Sequence, residues 1–312
     1  MKIQTIFSMS SAYRDDFRVK AYTFGHGEKA LCIVGSMRGD EMQQQYVAST
    51  LVRLLREAEQ QGRIAEGVSI SVIPSANPSS INIEKRFWAL DGTDINRMFP
   101  GYDQGETTQR IAAAVFDFVK DFRYGIQLAS YYLPGHFLPH VRMIHTRFEN
   151  VEEARRFGMP YVVVSEPKPF DTVLLNYNWQ IRDTQAFSLY AGTTEVIDPQ
   201  AAETSLQAVC RFLAAKGMVH LPCREELPPS SVLSESDMLD IKAPRAGLLM
   251  MHCAPGQRVK RGEHLASILH PYEGHEQCRI TSPADATVFF LRHKSICFQQ
   301  TLLFRLIAVQ DE

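Results

Sequence analysis

The chain has 312 residues, 45% of them hydrophobic and 22% charged, which is the composition of an ordinary globular protein. A net charge of -2 at pH 7 gives no electrostatic reason to expect a nucleic acid or an anionic membrane as partner. The sequence has no apolar run long enough for a transmembrane helix, and its first residues are too polar for a signal peptide. Six cysteines without CxxC spacing indicate reduced thiols, so we expect a cytoplasmic protein.

In the first two thirds of the chain, short apolar runs alternate with amphipathic segments. We predict strands at residues 30–36, 67–78, 124–130, 160–167 and 189–198. After the first strand, Val47, Leu51 and Leu55 recur at helical spacing, and Gly62 is the expected stop. Residues 107–122 have the pattern of a second amphipathic helix. The alternation predicts an α/β fold with a mostly parallel or mixed sheet flanked by helices.

The composition changes near residue 222, where a stretch rich in Pro, Ser and charge indicates a linker. Beyond it, short apolar runs are separated by Gly and Pro turns, and residues 242–250 resemble residues 281–289 as a weak internal repeat. We therefore predict two domains, an α/β domain over residues 1–224 and a small all-β sandwich over residues 225–312.

The turn after the first predicted strand, "MRGDE", brings Arg38, Asp40 and Glu41 to the start of a helical pattern. Ligands of open α/β sheets bind at the carboxyl ends of strands. A guanidinium and two carboxylates at this position therefore indicate a ligand or metal site.

The segment 77–101 follows another predicted strand and is rich in Pro, Gly and aromatic residues. It contains four residues suited to polar recognition: Arg86, Asp94, Asn96 and Arg97. Guanidinium groups offer a planar, bidentate fork to a carboxylate or an acyl oxygen, so the segment is a candidate binding loop. The alternative is a structural loop whose arginines pair with Asp91 and Asp94.

The stretch "DGTDINRMFPG" at residues 91–101 resembles the signature of the succinylglutamate desuccinylase/aspartoacylase family, relatives of the zinc carboxypeptidases. In that family the first strand ends in H-G-D/N-E, whose His and Glu bind zinc, and a later strand ends in D-L-H, which supplies the third ligand. Near the end of the catalytic domain, a strand carries a general-base Glu. The family's smaller, lipoyl-like domain resembles residues 240–308. The resemblance implies a zinc carboxypeptidase-like fold followed by a lipoyl-like β sandwich.

The resemblance also implies roles for individual residues. Arg86 matches the arginine that polarises the scissile carbonyl, and Asn96 and Arg97 match the pair that holds the substrate carboxylate. Glu195 falls at the position of the general base, with a surface Glu at a strand end as the alternative. Glu41 matches the metal-binding Glu.

Neither histidine ligand of the family is present. Arg38 occupies the first His position, and Gln127 and Ala129 occupy the Asp and His positions of D-L-H. A catalytic zinc normally has three protein ligands, whereas a guanidinium and a methyl group have no lone pair to donate. We therefore expect no cofactor, with zinc bound only if other residues substitute. We also expect Arg38 to neutralise Glu41 on the first helical turn and the pocket to attract anions.

Histidines elsewhere could rebuild a metal site together with Glu41. His136, His140 and His145 follow the predicted strand 124–130, where the alternative is a Pro-rich loop that lines the mouth of the pocket. The histidines of the predicted β domain lack ligand spacing and are expected at the surface: His252, His264, His270 and His275.

These observations lead to two functions of different classes. The first is a weak or non-catalytic homologue of N-acyl amino acid deacylases and carboxypeptidases, which binds an N-acyl amino acid or a peptide C-terminus. Its small carboxylate-bearing ligand would be held by Arg38, Asn96 and Arg97. The second is an active metal-dependent amide hydrolase of the deacylase or carboxypeptidase type, with rearranged metal ligands. A third hypothesis is an interaction scaffold. The sequence is also compatible with a homo-oligomer.

Overall fold

The computed structural model describes residues 1–221 and 229–309 and divides into two compact units. The described residues of the first unit lie in Met1–Ser130, Pro139–Tyr190 and Thr194–Leu233. Those of the second lie in Tyr131–Leu138, Ala191–Thr193 and Ser234–Glu312. The boundary predicted between residues 224 and 225, and the linker predicted near it, fall on residues 222–228, outside the described part of the chain. That boundary stays a prediction.

The first unit contains a mixed sheet. Its strands are β1 (Lys2–Met9), β2 (Phe17–Gly25), β3 (Glu28–Ser36), β4 (Val68–Ser75), β5 (Tyr124–Leu128), β6 (Gly135–Ile144), β7 (Tyr161–Ser165), β8 (Gln185–Gly192) and β9 (Ser231–Ser234), with the ends of β6, β8 and β9 reaching into segments of the second unit. The order is β1-β2-β4-β3-β5-β8-β6, and β7 pairs with β6 and β9. The centre is parallel, since β3 pairs in parallel with β4 and β5, and β5 with β8, whereas β1 and β2 are antiparallel.

Helices cover both faces of this sheet, as predicted for an α/β fold. They are α1 (Met42–Gln60), α2 (Pro78–Ile81), α3 (Thr107–Val119), α4 (Val151–Arg155), α5 (Leu175–Gln180) and α6 (Pro199–Ala215). Along β3, Leu31 and Ile33 join a core cluster that includes α1 and α6, while Cys32 and Val34 join a second cluster that includes α3. Successive side chains of a strand point to opposite faces, so a central strand that is apolar throughout is buried on both.

Helix α1 follows from the spacing of its apolar residues. Val47, Leu51 and Leu55 are four residues apart, lie on one face and are buried. The helix ends two residues before Gly62, the predicted stop, whose φ of +65° lies in the left-handed region. Among the described residues, no helix combines the length and the apolar character needed to cross a membrane.

The structure differs from the sequence-based expectation at two places between residues 131 and 198. The strand predicted at 189–198 is β8, which ends at Gly192. The Pro-rich stretch around His136 and His140, whose alternative reading was a loop, is strand β6. Pro139, which cannot donate a ladder hydrogen bond, lies between residues 135–137, which pair with β15 (Ala286–Arg292), and residues 140–144, which pair with β7.

The second unit consists of antiparallel strands, in agreement with the predicted all-β domain. Besides β15 they are β10 (Met238–Lys242), β11 (Gly247–Met251), β12 (Arg258–Val259), β13 (His264–Leu269), β14 (Glu276–Thr281), β16 (Ile296–Cys297) and β17 (Leu302–Ala308). One sheet has the order β14-β13-β11-β16, while β15 pairs with β17 and β12, and β17 with β10. The weak internal repeat corresponds to two strand–turn–strand segments, β10 to β11 and β14 to β15.

Candidate functional site

The candidate site of the first unit lies at the carboxyl ends of adjacent parallel strands. Arg38 follows β3, Ser130 follows β5, and Asp94 comes from the long connection after β4. Strands β3 and β5 pair in register from Leu31 with Tyr124 onward, so their carboxyl ends meet at one edge of the sheet. This is the edge at which open α/β sheets bind ligands.

The Arg38 guanidinium is buried between two carboxylates. Its Nη1 donates to Glu41 Oε1 at 3.1 Å and to the carbonyl oxygen of Ser130 at 3.5 Å. Its Nη2 donates to Asp94 Oδ2 at 2.8 Å, and its Nε lies 3.1 Å from both Asp94 oxygens. The contact expected between Arg38 and Glu41 is therefore present, but in the turn before α1, because the helix begins only at Met42. The second partner, Asp94, was not predicted from the sequence.

Both oxygens of the Glu41 carboxylate accept hydrogen bonds from protein groups. Oε2 accepts from the backbone N–H groups of Met37 at 2.7 Å and Arg38 at 3.0 Å. Oε1 accepts from Arg38 Nη1 and from the Ser130 hydroxyl at 2.5 Å. The Glu41 carboxylate is 1% exposed, and a buried polar group without hydrogen bonds is costly, so these four contacts satisfy it within the protein.

Burial and charge have opposite effects on Arg38. Burial lowers the pKa of its guanidinium. The neighbouring charges of Asp94 and Glu41 raise this pKa by more than burial lowers it, so it lies above its ordinary value. The side chain is therefore a permanent cation that faces two acidic groups. This arrangement gives the buried cluster no excess of positive charge.

The other two arginines of the site also face carboxylates. Arg86 Nη1 donates to Asp40 Oδ2 at 2.9 Å, and its guanidinium lies over the Phe87 ring. Arg97 is 41% exposed, and its Nε is 3.6 Å from Asp94 Oδ2. The expectation that this pocket strongly attracts anions is therefore corrected, because the guanidiniums of Arg38, Arg86 and Arg97 each face an acidic side chain.

The alternative for residues 77–101 was a structural loop whose arginines pair with Asp91 and Asp94, and the structure agrees with it only in part. Asp94 pairs with Arg97 as expected. It also caps a short 3₁₀ helix (Ile95–Arg97), because its side chain accepts a hydrogen bond from the backbone N–H of Asn96. Asp91, however, accepts from the backbone and side chain of Thr93 instead of pairing with an arginine.

The positions that correspond to D-L-H hold neutral groups. Gln127 is buried on β5, and its Nε2 donates to Asn96 Oδ1 at 3.0 Å. Ala129 is 5% exposed, and its carbonyl oxygen accepts from Gln44 Nε2 at 3.1 Å. The structure therefore brings together Arg38, Glu41, Asn96 and the two D-L-H positions.

Glu195 lies beyond the end of β8 and is exposed. Its exposure agrees with the alternative of a surface Glu at a strand end. The assignment of Glu195 as a general base stays a prediction.

The histidines considered as substitute ligands occupy different environments. His140 is fully buried on β6, and its ring stacks on that of Tyr190 with centroids 5.0 Å apart. His145 is half exposed and pairs with Glu149 at 2.5 Å. His136 is on the part of β6 that belongs to the second unit.

Tyr190 is a residue of the site that the sequence analysis missed. Burial raises the pKa of its phenol, against the opposing charges of Arg142 and Arg38. Tyr190 lies within the mostly apolar strand β8 and belongs to no local motif. Its position near Arg38 follows from the order of the strands in the sheet.

Comparison with known proteins finds relatives in the family that the sequence resembles. A family model described as the succinylglutamate desuccinylase/aspartoacylase catalytic domain matches residues 28–216. An N-alpha-acetyl-L-2,4-diaminobutyric acid deacetylase from Halomonas elongata is 25% identical over 258 residues, which cover 78% of this chain and 71% of the relative.

Solved structures with the same fold cover nearly the whole chain. A succinylglutamate desuccinylase from Silicibacter sp. TM1040 superposes with a TM-score of 0.82 at 14% identity, over 97% of this chain and 92% of that chain. The product-bound ectoine utilization protein EutE (DoeB) from Ruegeria pomeroyi gives a TM-score of 0.76 at 15% identity, over 95% and 90% of the two chains. An aspartoacylase family protein from Mesorhizobium loti gives 0.76 at 20% identity, over 99% and 96%.

Proposed function

Because this chain belongs to the succinylglutamate desuccinylase/aspartoacylase family, we propose that it is a weak or non-catalytic homologue of the N-acyl amino acid deacylases. In this proposal the pocket binds a small carboxylate-bearing molecule, and Arg38 takes the place of the family's zinc ion. The observation that carries the proposal is the Arg38 guanidinium, which lies between Glu41 and Asp94 at 3.1 Å and 2.8 Å.

The donor set supports the absence of zinc from this site. Zinc needs lone-pair donors, normally three from the protein in a catalytic site. Of the three expected positions, Arg38 has no lone pair, Ala129 has a methyl group, and both oxygens of Glu41 already accept hydrogen bonds. A metal at Glu41 would have to displace a guanidinium whose removal leaves Asp94 without its closest partner. The residues present therefore do not fit the ion.

The loss of the metal would remove the largest part of the catalysis. A zinc ion lowers the pKa of its bound water to about 7 and so supplies hydroxide at neutral pH. A guanidinium stabilises negative charge but cannot generate hydroxide, since it neither coordinates water nor accepts a proton. Amide hydrolysis through Glu195 and Arg86 would then be slow.

Arg97 is the residue best suited to hold the ligand. Its side chain is 41% exposed, its ion pair with Asp94 is long at 3.6 Å, and its guanidinium lies over the Phe170 ring. A loosely paired guanidinium can turn to a carboxylate at little cost, and a planar fork binds it through two hydrogen bonds. Asn96 is adjacent and contributes an amide. The N-acyl amino acid class comes from the deacetylase relative.

The test combines ligand binding with turnover in untagged protein prepared without chelators. N-acetyl amino acids should raise the thermal midpoint of the wild-type protein, and Arg97→Ala should abolish the rise. Arg53→Ala is the matched control, because Arg53 is 61% exposed and pairs with Glu57 on α1. Release of free amino acid should stay near the uncatalysed rate, with or without added zinc.

Zinc-dependent release of the amino acid that is lost in Glu195→Gln would overturn the proposal. That result would establish the second function, an active metal-dependent amide hydrolase with rearranged ligands. An equal thermal shift in Arg97→Ala and the wild-type protein would instead refute the assignment of the carboxylate contact.

A further inference from the structure

The turn between β13 and β14 in the second unit holds a compact group of potential metal ligands. It spans residues 270–275, "HPYEGH", and is closed by two backbone hydrogen bonds. His270 N–H donates to the His275 carbonyl at 2.9 Å, and Gly274 N–H donates to the His270 carbonyl at 2.9 Å. Gly274 has a φ of +72°, a conformation that glycine adopts without strain. The backbone of the turn is therefore well defined.

This geometry places the two histidines opposite each other. Leu269 pairs with Glu276 at the end of the hairpin, so His270 and His275 are the next facing residues. Facing residues of an antiparallel pair project to the same side of the sheet. Their imidazole rings are accordingly almost parallel, with an angle of 6° and centroids 5.2 Å apart.

Glu273 completes the group. Its Oε2 lies 3.2 Å from His275 Nδ1. One ligand atom from each of His270, Glu273 and His275 lies within 4.8 Å of the others. In a tetrahedral zinc site with metal–ligand distances near 2.1 Å, ligand atoms are about 3.4 Å apart. Small side-chain rotations therefore convert the present arrangement into a coordination shell.

Little opposes such rotations. The side chains of His275 and Glu273 are 55% and 68% exposed, so a bound ion stays partly hydrated and its desolvation is small. Among the described residues, His270 Nδ1 accepts hydrogen bonds from the N–H of Tyr272 at 3.4 Å and from that of Glu273 at 3.2 Å, both at or beyond the upper end of the usual range. A metal ion competes with these bonds at low cost.

The other histidine pair of the unit is less suitable. The rings of His252 and His264 are 4.3 Å apart, but both Nε2 atoms are 3.0 Å from the Ser267 hydroxyl. Glu276 is 3.8 Å from His264, and its carboxylate also binds Ser267. In the described part of the chain, only the turn brings three ligand atoms together at the required distance.

We propose that the turn 270–275 binds one zinc ion through His270, Glu273 and His275, with water completing the coordination. Two imidazoles and a carboxylate are donors that zinc commonly uses, and three protein ligands leave one position open. His270 and His275 lie at the surface, as expected; the hairpin supplies the proximity that their linear spacing does not indicate.

The proposal is tested by calorimetric titration of ZnCl₂ into untagged protein freed of metal by a chelator. The wild-type protein should bind one zinc ion per chain at this turn. His270→Ala and His275→Ala should each weaken that binding by at least about tenfold, the loss that removal of even an outer-sphere partner brings. Both residues lie in an exposed turn outside the core, so the variants should fold, and circular dichroism checks that they do.

His264→Ala is the matched control, because it removes an imidazole from the same unit outside the turn. It should leave zinc binding unchanged. Absence of zinc binding to the wild-type protein, or equal binding to the wild-type and both turn variants, would overturn the proposal. The ligand-induced thermal shift described for Arg97 should be the same in all three variants, which keeps this test independent of the proposed function.

Discussion

Arg38 lies 5% exposed between two carboxylates, and its contribution to stability depends on that burial. A buried ion pair often contributes little relative to apolar residues of similar volume, but removal of one partner leaves an uncompensated charge. Under the proposed function, Arg38 would thus exclude a metal ion and also neutralise the buried charges of Glu41 and Asp94 in the folded protein.

We predict that Arg38→Met lowers the free energy of unfolding by about 3–5 kcal/mol, because two buried carboxylates lose their shared counter-charge. Urea unfolding followed by circular dichroism measures the change. Arg97→Met is the control, since this side chain is 41% exposed and its contact with Asp94 is 3.6 Å long. The control should cost no more than about 1 kcal/mol. Equal losses in the two variants would contradict the prediction.

At the residue scale, the sequence predicted the contact between Arg38 and Glu41 because the two positions are only three residues apart. It did not predict that Asp94, 56 residues away, is the closer partner. A pairing between distant loops depends on strand order, which a single sequence specifies only weakly. Tyr190 and Ser130 were missed for the same reason.

Among the structural elements, the central strands were predicted well because burial on both faces leaves a continuous apolar run. The edge strand β1 and its neighbour β2 were not predicted, since both alternate with polar residues and β1 is mostly exposed along its length. Strand β6 was considered a loop because of Pro139, and the structure accommodates this proline where the strand changes partners.

The turn between β14 and β15 gives a prediction on pH dependence. Asp285 accepts a hydrogen bond from Lys260 Nζ at 2.7 Å and another from the N–H of Arg261 at 2.8 Å. These bonds lower the pKa of the Asp285 carboxyl below its ordinary value. Because the pKa is lower in the folded state, the stabilisation is complete above the unfolded-state pKa and is lost as the pH falls through the folded-state pKa.

Asp285→Asn should therefore have a lower thermal midpoint than the wild-type protein near pH 7, and the difference should shrink towards about pH 3. Calorimetric scans over that range measure it. Lys260→Met should show the same trend, because Lys260 is the larger cause of the shift. A difference in midpoint that is constant over the whole range would contradict the assignment.

At the scale of the whole molecule, the cysteines test the expectation of a reduced protein. The sequence has six cysteines, and the five in the described part are free thiols. Three of them, Cys32, Cys210 and Cys297, are buried. Burial raises the pKa of Cys32, and burial together with the Glu263 charge raises that of the half-buried Cys253 to about 11. A high pKa leaves little of the reactive thiolate.

We predict that a thiol reagent such as DTNB labels the native protein slowly at neutral pH and labels all six cysteines after unfolding without reductant. The three buried thiols should react only in denaturant, as mass spectrometry of labelled peptides would show. A reductant should leave the thermal midpoint unchanged. Fewer than six reactive thiols in denaturant would instead indicate a disulfide.

The change from an α/β pattern to antiparallel strands was visible in the sequence, because an alternation of helices and strands differs in pattern from short strands with turns. The assignment of residues 131–138 and 191–193 to the second unit was not visible. Both are short segments inside the α/β part of the chain, and nothing in their local pattern indicates which core they join.

The position of Arg38 between Glu41 and Asp94 also bears on how this lineage could change. Arg38→His alone would leave two buried acids to share one imidazole, and Ala129→His alone would bring a ring into a space that is 5% exposed without a metal to bind. Each single substitution is expected to destabilise the fold. Under the proposed function, a zinc site at this position would therefore require paired substitutions at residues 38 and 129.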